Sequence, residues 1–247
     1  MRAGKSISTL VTAAAATLAL TAAVSCSDSA KRTATTGSAS ASRLQLDDTP
    51  PYHGIDISSH QAMIDWKSVA GDNNINFVYI KATEGATYSS PHYGYNVEMA
   101  RRRGILVGSY HYFTTTASVR SQYENFIHLA AASTQDLIPM IDIEDAGDWT
   151  RRQLCDSLTA FASMLERHYG RRPMIYSMMT FYNAYLAPHF NSYPLYIGRY
   201  STQPPAIDWN GRYTIWQYSQ NGVVPGIDRY VDLCLFAPGR SLRDITL

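Results

Sequence analysis

The sequence predicts an α/β fold, a small or incomplete β/α barrel, and three observations support this. Apolar runs of strand length alternate with segments of helical period in the first half of the chain. Such alternation is typical of a parallel sheet with helices packed against it. Seven or eight strand-like runs fall within residues 52–247, and the later ones follow one another with fewer helices between them. A barrel with fewer helices than strands is therefore expected.

The predicted strands are short runs that end in polar residues. In chain order they cover residues 53–58, 76–81, 105–113, 137–144, 174–177, 195–198 and 213–218, with an eighth candidate at 229–233. Helices are predicted over residues 92–103, 118–132 and 151–169. The third helix places five apolar side chains on one face and is followed by Gly170, a common helix stop.

Composition and charge narrow the class of protein. Apolar residues make up 45% of the 247 residues, which is enough for a sizeable core. The 21 basic and 20 acidic residues give a net charge of +1, without the basic footprint of a nucleic-acid-binding protein, so no nucleic-acid partner is expected. No His and Cys residues occur with zinc-site spacing, so neither a metal nor another cofactor is expected.

Residues 1–26 resemble the signal peptide of a bacterial lipoprotein. Arg2 and Lys5 precede an apolar run, Ile7–Val24, which is so rich in alanine and threonine that it would make a weak membrane span. Small residues then precede Cys26, as in a lipobox, which predicts that Cys26 is lipidated and begins the mature chain. The alternative is an ordinary signal peptide cleaved nearby, with an incidental cysteine.

The remaining chain divides into a tether and one domain. Residues 27–51 are mostly Ser, Thr, Ala and Gly up to residue 42, and they end in two prolines. Such a segment buries too little apolar surface to offset its ordering entropy, so a flexible tether is predicted. Residues 52–247 form the domain. Removing residues 1–26 takes away two bases and no acid, which changes the net charge from +1 to −1.

The sharpest local feature is the tripeptide Asp142-Ile143-Glu144 at the end of an apolar strand. Side chains two residues apart on a strand point to the same face, with Cα atoms about 6.6 Å apart. Two carboxyl groups that close do not both ionise freely, so one pKa is expected to rise. An acid that keeps its proton beside a carboxylate is the pair that glycosidic cleavage needs. The alternative is an incidental D-x-E at a strand–loop boundary.

Seven short segments occur in order with consistent spacing. They are HGIDISS at 53–59, FVYIKATEG at 77–85, GSYHYF at 108–113, IDIE at 141–144, IY at 175–176, WQYS at 216–219 and VDLCLF at 231–236. Together they resemble glycoside hydrolase family 25, the Chalaropsis-type lysozymes, across nearly all of residues 52–236. The resemblance implies a modified TIM-like β/α barrel with eight strands and fewer than eight helices.

The resemblance also implies an activity and a site. Members of the family cleave the β-1,4 bond between N-acetylmuramic acid and N-acetylglucosamine, so glycan strands of peptidoglycan are the expected partner. The family's four acids match Asp56, Asp142, Glu144 and Asp232, and the Val-Asp-Leu context favours Asp232 over nearby Asp228. Glu144 resembles the general acid. Asp142 either orients the 2-acetamido group of the substrate, which we favour, or acts as a nucleophile.

Aromatic side chains at the strand ends are expected to line the sugar-binding groove, because sugar faces pack on aromatic rings. These residues are Tyr79, Tyr110, Tyr176, Trp216 and Tyr218. Core packing is the alternative for each of them, and Trp216 and Tyr218 share a face by alternation. Lys81 is also assigned to substrate binding, although an ion pair with Glu84 that shapes the rim is the favoured role. His111 is expected to be a structural histidine.

Two other functions compete with this interpretation. A chitinase-type barrel hydrolysing another amino-sugar polymer needs D-x-D-x-E, whereas Met140 stands at the first of those positions. A cell-wall-binding barrel without activity is disfavoured because all four acids are present. Cys155 and Cys234 are expected to be buried thiols, with a disulfide as the alternative. A monomer, lipid-anchored in the cell envelope at the outer membrane or facing the periplasm, is expected.

Overall fold

Eight strands close into a barrel in the computed structural model, which describes residues 53–71 and 75–247. Pairing of the first two strands closes the sheet. In chain order the strands are β1 (His53–Ile57), β2 (Ile75–Glu84), β3 (Tyr88–Ser89), β4 (Leu106–Tyr112), β5 (Met140–Asp142), β6 (Met174–Met178), β7 (Leu195–Gly198), β8 (Ile215–Gly222) and β9 (Val231–Phe236). The short β3 pairs with β2 outside the barrel. The predicted α/β barrel with fewer helices than strands is confirmed.

The direction of β9 is the main departure from a fully parallel barrel. The pairs from β1 through β2 and β4 to β8 are parallel, whereas β9 is antiparallel to both β8 and β1. The first residues of β9 therefore lie at the end of the barrel where the parallel strands finish. Asp232 pairs directly with Asp56 of β1 for this reason.

Five helices of the described residues cover the outside of the barrel. They are α1 (Trp66–Gly71), α2 (Tyr93–Arg102), α3 (Val119–Leu129), α4 (Arg151–Tyr169) and α5 (Met179–Phe181), which continues as a π-helical turn over Tyr182–Leu186. The bounds of α4 are as predicted. Thr150 forms a capping box with Gln153 at its start, and Gly170 ends it in a left-handed conformation at φ 76°. None of the helices in the part that the structure describes is long and apolar enough to cross a membrane.

Several elements differ from the sequence-based expectation. The strand predicted over residues 137–144 is limited to the three residues of β5, because Pro139 has no N–H group to donate to a ladder. Glu144 therefore lies beyond the strand. The final strand begins at Val231 and continues to Phe236, later than expected. Helices α1 and α5 were not predicted, since each is too short to show a helical period.

Aromatic rings fill the interior of the barrel. Tyr79 is fully buried there, its ring 6.1 Å from that of Tyr196, and its hydroxyl donates to the carbonyl oxygen of Ile138 at 3.1 Å. Gly108 on β4 makes room for this ring, because an added Cβ would stand 2.4 Å from it. The prediction that Tyr79 lines a sugar-binding groove is therefore wrong: it is part of the core beneath the site.

The two cysteines of the domain are free thiols. Cys155 lies on α4, where its thiol donates to the carbonyl oxygen of Tyr185 at 3.4 Å. Cys234 lies on β9 and is fully buried. The expectation of two buried thiols is confirmed, and the alternative disulfide does not form. Cys26 lies outside the residues that the structure describes.

Candidate active site

Asp56 and Asp232 form one pair of acids at the carboxyl end of the parallel strands. Asp56 is 8% exposed, and Asp232 lies directly opposite it on the neighbouring strand. Burial and the adjacent Asp56 raise the pKa of Asp232 to about 8. Burial also raises the pKa of Asp56, but hydrogen bonds to its charged form oppose the rise. At neutral pH the pair therefore retains a proton.

Two uncharged side chains hold the Asp56 carboxylate in place. The hydroxyl of Tyr196 on β7 donates to Oδ2 at 2.6 Å. The side-chain amide of Gln217 on β8 donates to Oδ1 at 3.1 Å and to Oδ2 at 3.0 Å. The other end of that amide accepts from the hydroxyls of Tyr176 at 2.8 Å and Tyr200 at 3.1 Å. Gln217 thus joins the Asp56 carboxylate to two tyrosines and fixes the orientation of all three.

Asp142 and Glu144 form the second pair. Asp142 ends β5 and is 6% exposed, whereas Glu144 lies two residues later and is open to solvent. Each carboxyl group affects the pKa of the other. Burial, followed by the charge of Glu144, raises the pKa of Asp142 well above its usual value, and burial raises that of Glu144 as well. The pKa of the pair is raised, as the D-x-E spacing predicts.

Oδ1 of Asp142 is buried with no hydrogen-bond partner from the described residues. A buried acceptor without a donor costs free energy, so such atoms are uncommon unless a ligand supplies the donor. This oxygen is consequently a candidate contact for an N–H group of a bound molecule.

Tyrosine hydroxyls surround the acids. Tyr110 on β4 and Tyr176 on β6 are 8% and 6% exposed. Burial raises the pKa of both well above the usual value, and the charges of Asp142 and Asp56 raise it further. Burial, followed by the charge of Asp142, raises the pKa of Tyr112 to about 12. Burial, followed by the charge of Asp232, raises that of Tyr200 to about 12. These phenols stay protonated. Tyr110 and Tyr112 can donate hydrogen bonds to sugar oxygens, whereas Tyr176 and Tyr200 donate to Gln217 and can accept from sugar hydroxyls.

Lys81 supplies a positive charge beside the second acid pair. Its ammonium lies 2.6 Å from Oε2 of Glu84 and 4.7 Å from the centre of the Tyr112 ring, which confirms the predicted ion pair. The charge of Lys81 acts to lower the pKa of Asp142 and Glu144, against the larger effect of burial. A direct contact between Lys81 and substrate stays a prediction.

Trp216 and Tyr218 do not lie with the acids. Their rings contact each other at 5.9 Å, so the prediction that they share a face is confirmed. That face is the outer one, because Gln217 between them points inward to Asp56. The indole N–H of Trp216 donates to the carbonyl oxygen of Arg199 at 2.8 Å. Their assignment to a groove around the acids is therefore wrong.

His111 has the structural role expected of it. It is fully buried, with Nδ1 2.7 Å from the hydroxyl of Thr83 and Nε2 3.1 Å from Oε1 of Gln122. Burial lowers its pKa to about 4, so the ring is neutral. Within residues 53–71 and 75–247, no group of three or more His, Cys, Asp or Glu side chains is arranged to hold a metal ion.

The fold therefore brings together six of the predicted residues: Asp56, Tyr110, Asp142, Glu144, Tyr176 and Asp232. Sequence reasoning missed Tyr196, Tyr200 and Gln217. Gln217 lies between Trp216 and Tyr218 on one strand, and alternation places its side chain on the face opposite theirs. That position is the sequence signal that could have identified it. A barrel whose open end holds two carboxyl pairs of raised pKa among tyrosine hydroxyls has the groups of a glycoside hydrolase.

Comparison with known proteins agrees with that class. The family model for glycosyl hydrolases family 25 matches residues 55–227. YegX of Escherichia coli (strain K12) is 36% identical over 188 residues, which cover 74% of this chain and 69% of YegX. The autolytic lysozyme of Clostridium acetobutylicum is 32% identical over 186 residues, covering 75% of this chain and 56% of that protein. The crystal structure of a bacterial lysozyme from Streptomyces coelicolor superposes with a TM-score of 0.71 at 27% identity, covering 79% of this chain and 96% of that one. The chain belongs to glycosyl hydrolase family 25 and is a glycoside hydrolase of lysozyme type.

The raised pKa of Asp232 predicts a pH-dependent stability. Unfolded Asp loses its proton near pH 4, whereas folded Asp232 keeps it up to about pH 8. The folded state binds the extra proton in this window, so this group makes the free energy of unfolding fall as pH rises from 4 to 8. In Asp232→Asn the fall should be shallower. Urea denaturation at several pH values measures it.

The matched control is Asp228→Asn, which removes an exposed carboxyl four residues away. It should leave the pH dependence of wild type unchanged. Parallel stability curves for wild type and Asp232→Asn would show that Asp232 does not retain a proton in the folded protein.

Proposed function

We propose that the open end of the barrel hydrolyses the β-1,4 bond between N-acetylmuramic acid and N-acetylglucosamine in peptidoglycan glycan strands. The observation that carries the proposal is the placement of Asp142 and Glu144 together at the carboxyl end of the strands, where burial raises the pKa of both. Membership of family 25 and the lysozymes among its relatives support the choice of substrate.

Glu144 is the general acid in this proposal. It is the solvent-accessible member of its pair, so a glycosidic oxygen can reach it. Partial burial of its carboxyl group raises its pKa above the usual value, which favours the protonated form that a general acid needs. The bond between the anomeric carbon and the leaving oxygen breaks as that oxygen takes the proton from Glu144.

Asp142 orients the 2-acetamido group of the muramic sugar. The amide N–H donates to the unpartnered Oδ1, and Asp142 passes its own proton to Glu144, which leaves a carboxylate beside the amide. The acetamido oxygen then attacks the anomeric carbon as the glycosidic bond breaks. At 6% exposure Asp142 is poorly placed to reach that carbon itself, which favours assistance over a nucleophilic role.

Water completes the reaction. Glu144, now a carboxylate, takes a proton from a water molecule that attacks the anomeric carbon, and the bond to the acetamido oxygen breaks. Both carboxyls of the pair return to their starting protonation. The Asp56 charge stabilises the positive charge that develops on the sugar. The Tyr110 hydroxyl donates a hydrogen bond to a sugar oxygen, and the Tyr176 hydroxyl, which donates to Gln217, accepts one from a sugar hydroxyl.

The proposal includes the context in which the enzyme works. One chain supplies all four acids, which supports a monomer. Lipidation of Cys26 and a tether over residues 27–51 would hold the domain in the cell envelope, within reach of peptidoglycan.

Substitution of the second acid pair tests the assigned roles. Glu144→Gln and Asp142→Asn should each lower kcat on purified peptidoglycan by about 10²–10⁴-fold, because each removes a step of the proton transfer. Asp145→Asn, which changes the exposed neighbour of Glu144, is the control and should keep wild-type activity.

Mass analysis of the wild-type products should find reducing-end muramic acid. Near-normal turnover by Glu144→Gln would refute its assignment, and reducing-end glucosamine would identify a different bond.

Removal of substrate N-acetyl groups separates the two roles of Asp142. If the acetamido oxygen attacks, wild-type enzyme should hydrolyse de-N-acetylated glycan more slowly by about 10³-fold or more, because the intramolecular nucleophile is gone. Re-acetylation of the same glycan is the control and should restore hydrolysis. Hydrolysis of the de-N-acetylated glycan within tenfold of the acetylated rate would instead indicate attack by Asp142.

The anchor has its own test. Cys26→Ser should move the protein from the membrane fraction to the soluble fraction, because it removes the site of lipid attachment. Mass spectrometry of the wild-type N-terminal peptide should find a lipid-modified cysteine. An unmodified residue at the mature N-terminus would contradict the anchor without affecting the proposed activity.

A further inference from the structure

The end of the barrel opposite the acids is rich in arginine. This surface, called here the amino-end face, consists of the segments that precede β4, β5, β6, β7 and β8 and the segment that follows β9. Nine of the sixteen lysines and arginines in residues 53–71 and 75–247 lie there, and all nine are exposed: Arg101, Arg102, Arg103, Arg167, Arg171, Arg172, Arg212, Arg240 and Arg243. Five acids accompany them, namely Glu98, Asp136, Glu166, Asp208 and Asp244. The face is therefore positively charged, whereas the opposite end carries the four active-site acids.

A tryptophan projects at the edge of this face. Trp209 is 72% exposed, the most exposed aromatic side chain in the described residues. It and Asn210 both have φ of 57°, a left-handed conformation that is uncommon outside glycine. The side-chain amide of Asn191 donates to the carbonyl oxygens of Asp208 at 3.1 Å and Trp209 at 3.3 Å, which fixes the turn. The fold thus holds an indole in solvent at some conformational cost.

A polar cavity lies beside the tryptophan. It has a volume of about 320 Å³, and Asn210, Arg212 and Arg240 are among its lining residues. Nearby, the guanidinium of Arg172 stacks 4.8 Å from the centre of the Tyr193 ring, another lining residue. Asp244 contacts Arg240 at 3.2 Å and neutralises part of its charge. Guanidinium groups around a polar cavity of this kind suit a phosphate-bearing headgroup.

The chain enters the domain at the same face. His53 is the first residue of β1, and the parallel strands begin at this end of the barrel. Anything attached through the preceding residues is therefore tied to the amino-end face. The acids lie at the other end of the strands, so a surface bound at this face would leave the active site open on the far side.

We propose that the amino-end face docks on an anionic lipid surface, with Trp209 in the interfacial layer and Arg212 and Arg240 against headgroup phosphates. Arginine attracts anionic lipid electrostatically, and tryptophan favours the membrane–water interface. A soluble polyanion would use the arginines but has no use for an exposed indole, which favours a lipid surface. Docking in this orientation points the active site away from the membrane and towards peptidoglycan.

Vesicle binding tests the proposal. The full chain carrying Cys26→Ser, which excludes a covalent lipid, is mixed at low salt with phosphatidylcholine vesicles with or without phosphatidylglycerol. The double variant Arg212→Gln/Arg240→Gln should bind the anionic vesicles about thirty-fold more weakly, because each arginine is expected to contribute about five-fold to the affinity. The control Arg120→Gln/Arg152→Gln makes the same charge change on exposed arginines near the opposite end and should stay within two-fold of the parent. Residues 1–52 are identical in all variants apart from the shared Cys26→Ser, so differences report on the face.

Fluorescence quenching tests whether the Trp209 indole lies in the interfacial layer of the membrane. Brominated anionic lipids should quench tryptophan emission of the parent chain, and Trp209→Phe should lose most of that quenching. Equal losses of vesicle binding in the two double variants, or unchanged quenching in Trp209→Phe, would overturn the proposal. Binding to polyphosphate without binding to anionic vesicles would instead indicate a soluble polyanion. Hydrolysis of soluble peptidoglycan fragments should be the same in every variant, which reports folding and keeps this test separate from that of the proposed activity.

Discussion

Four carboxyl groups meet at one end of this barrel, and their mutual repulsion in a buried site governs the rest of the structure. Taking several negative charges out of water together is so costly that the group must retain protons. The antiparallel pairing of β9 with β1 sets Asp232 beside Asp56, and the short β5 leaves Asp142 and Glu144 as neighbours. Each pair lowers its charge by retaining a proton. The proton that each pair retains, which catalysis needs, therefore results from the positions in which the backbone holds the acids.

The surroundings of the acids keep this arrangement rigid. Below them, the buried rings of Tyr79 and Tyr196 close the barrel to water, and Gly108 leaves the space that one ring occupies. Beside them, Gln217 fixes the direction of the Asp56 carboxylate through both ends of its amide. Because these groups are uncharged, they orient the carboxylate without cancelling its charge. The negative charge then remains available to stabilise a positive sugar in the proposed reaction.

Much of this could be predicted from the sequence, and the failures have physical causes. Strand-length apolar runs and the helical period of α4 are local signals, and each was interpreted correctly. The spacing of Asp142 and Glu144 correctly predicted a raised pKa, and the catalytic role assigned to the pair stays a prediction. The antiparallel β9 depends on a chain reversal that local periodicity does not encode. Tyr79 and Trp216 were misplaced because alternation separates two faces of a strand without telling which one faces the barrel interior. Gln217 was missed because its importance comes from partners distant in the chain.

The central claim is that the four acids carry two protons near neutral pH, one in each pair. The most direct measurement follows the carboxyl-carbon chemical shifts of Asp56, Asp142, Glu144 and Asp232 by NMR between about pH 3 and pH 9. The account predicts that Asp232 titrates near pH 8 and that the Asp142–Glu144 pair gives one ionisation far above the usual range of carboxyl groups. If all four carboxyl groups were fully ionised above about pH 5, the claim that the pairs retain protons would be contradicted.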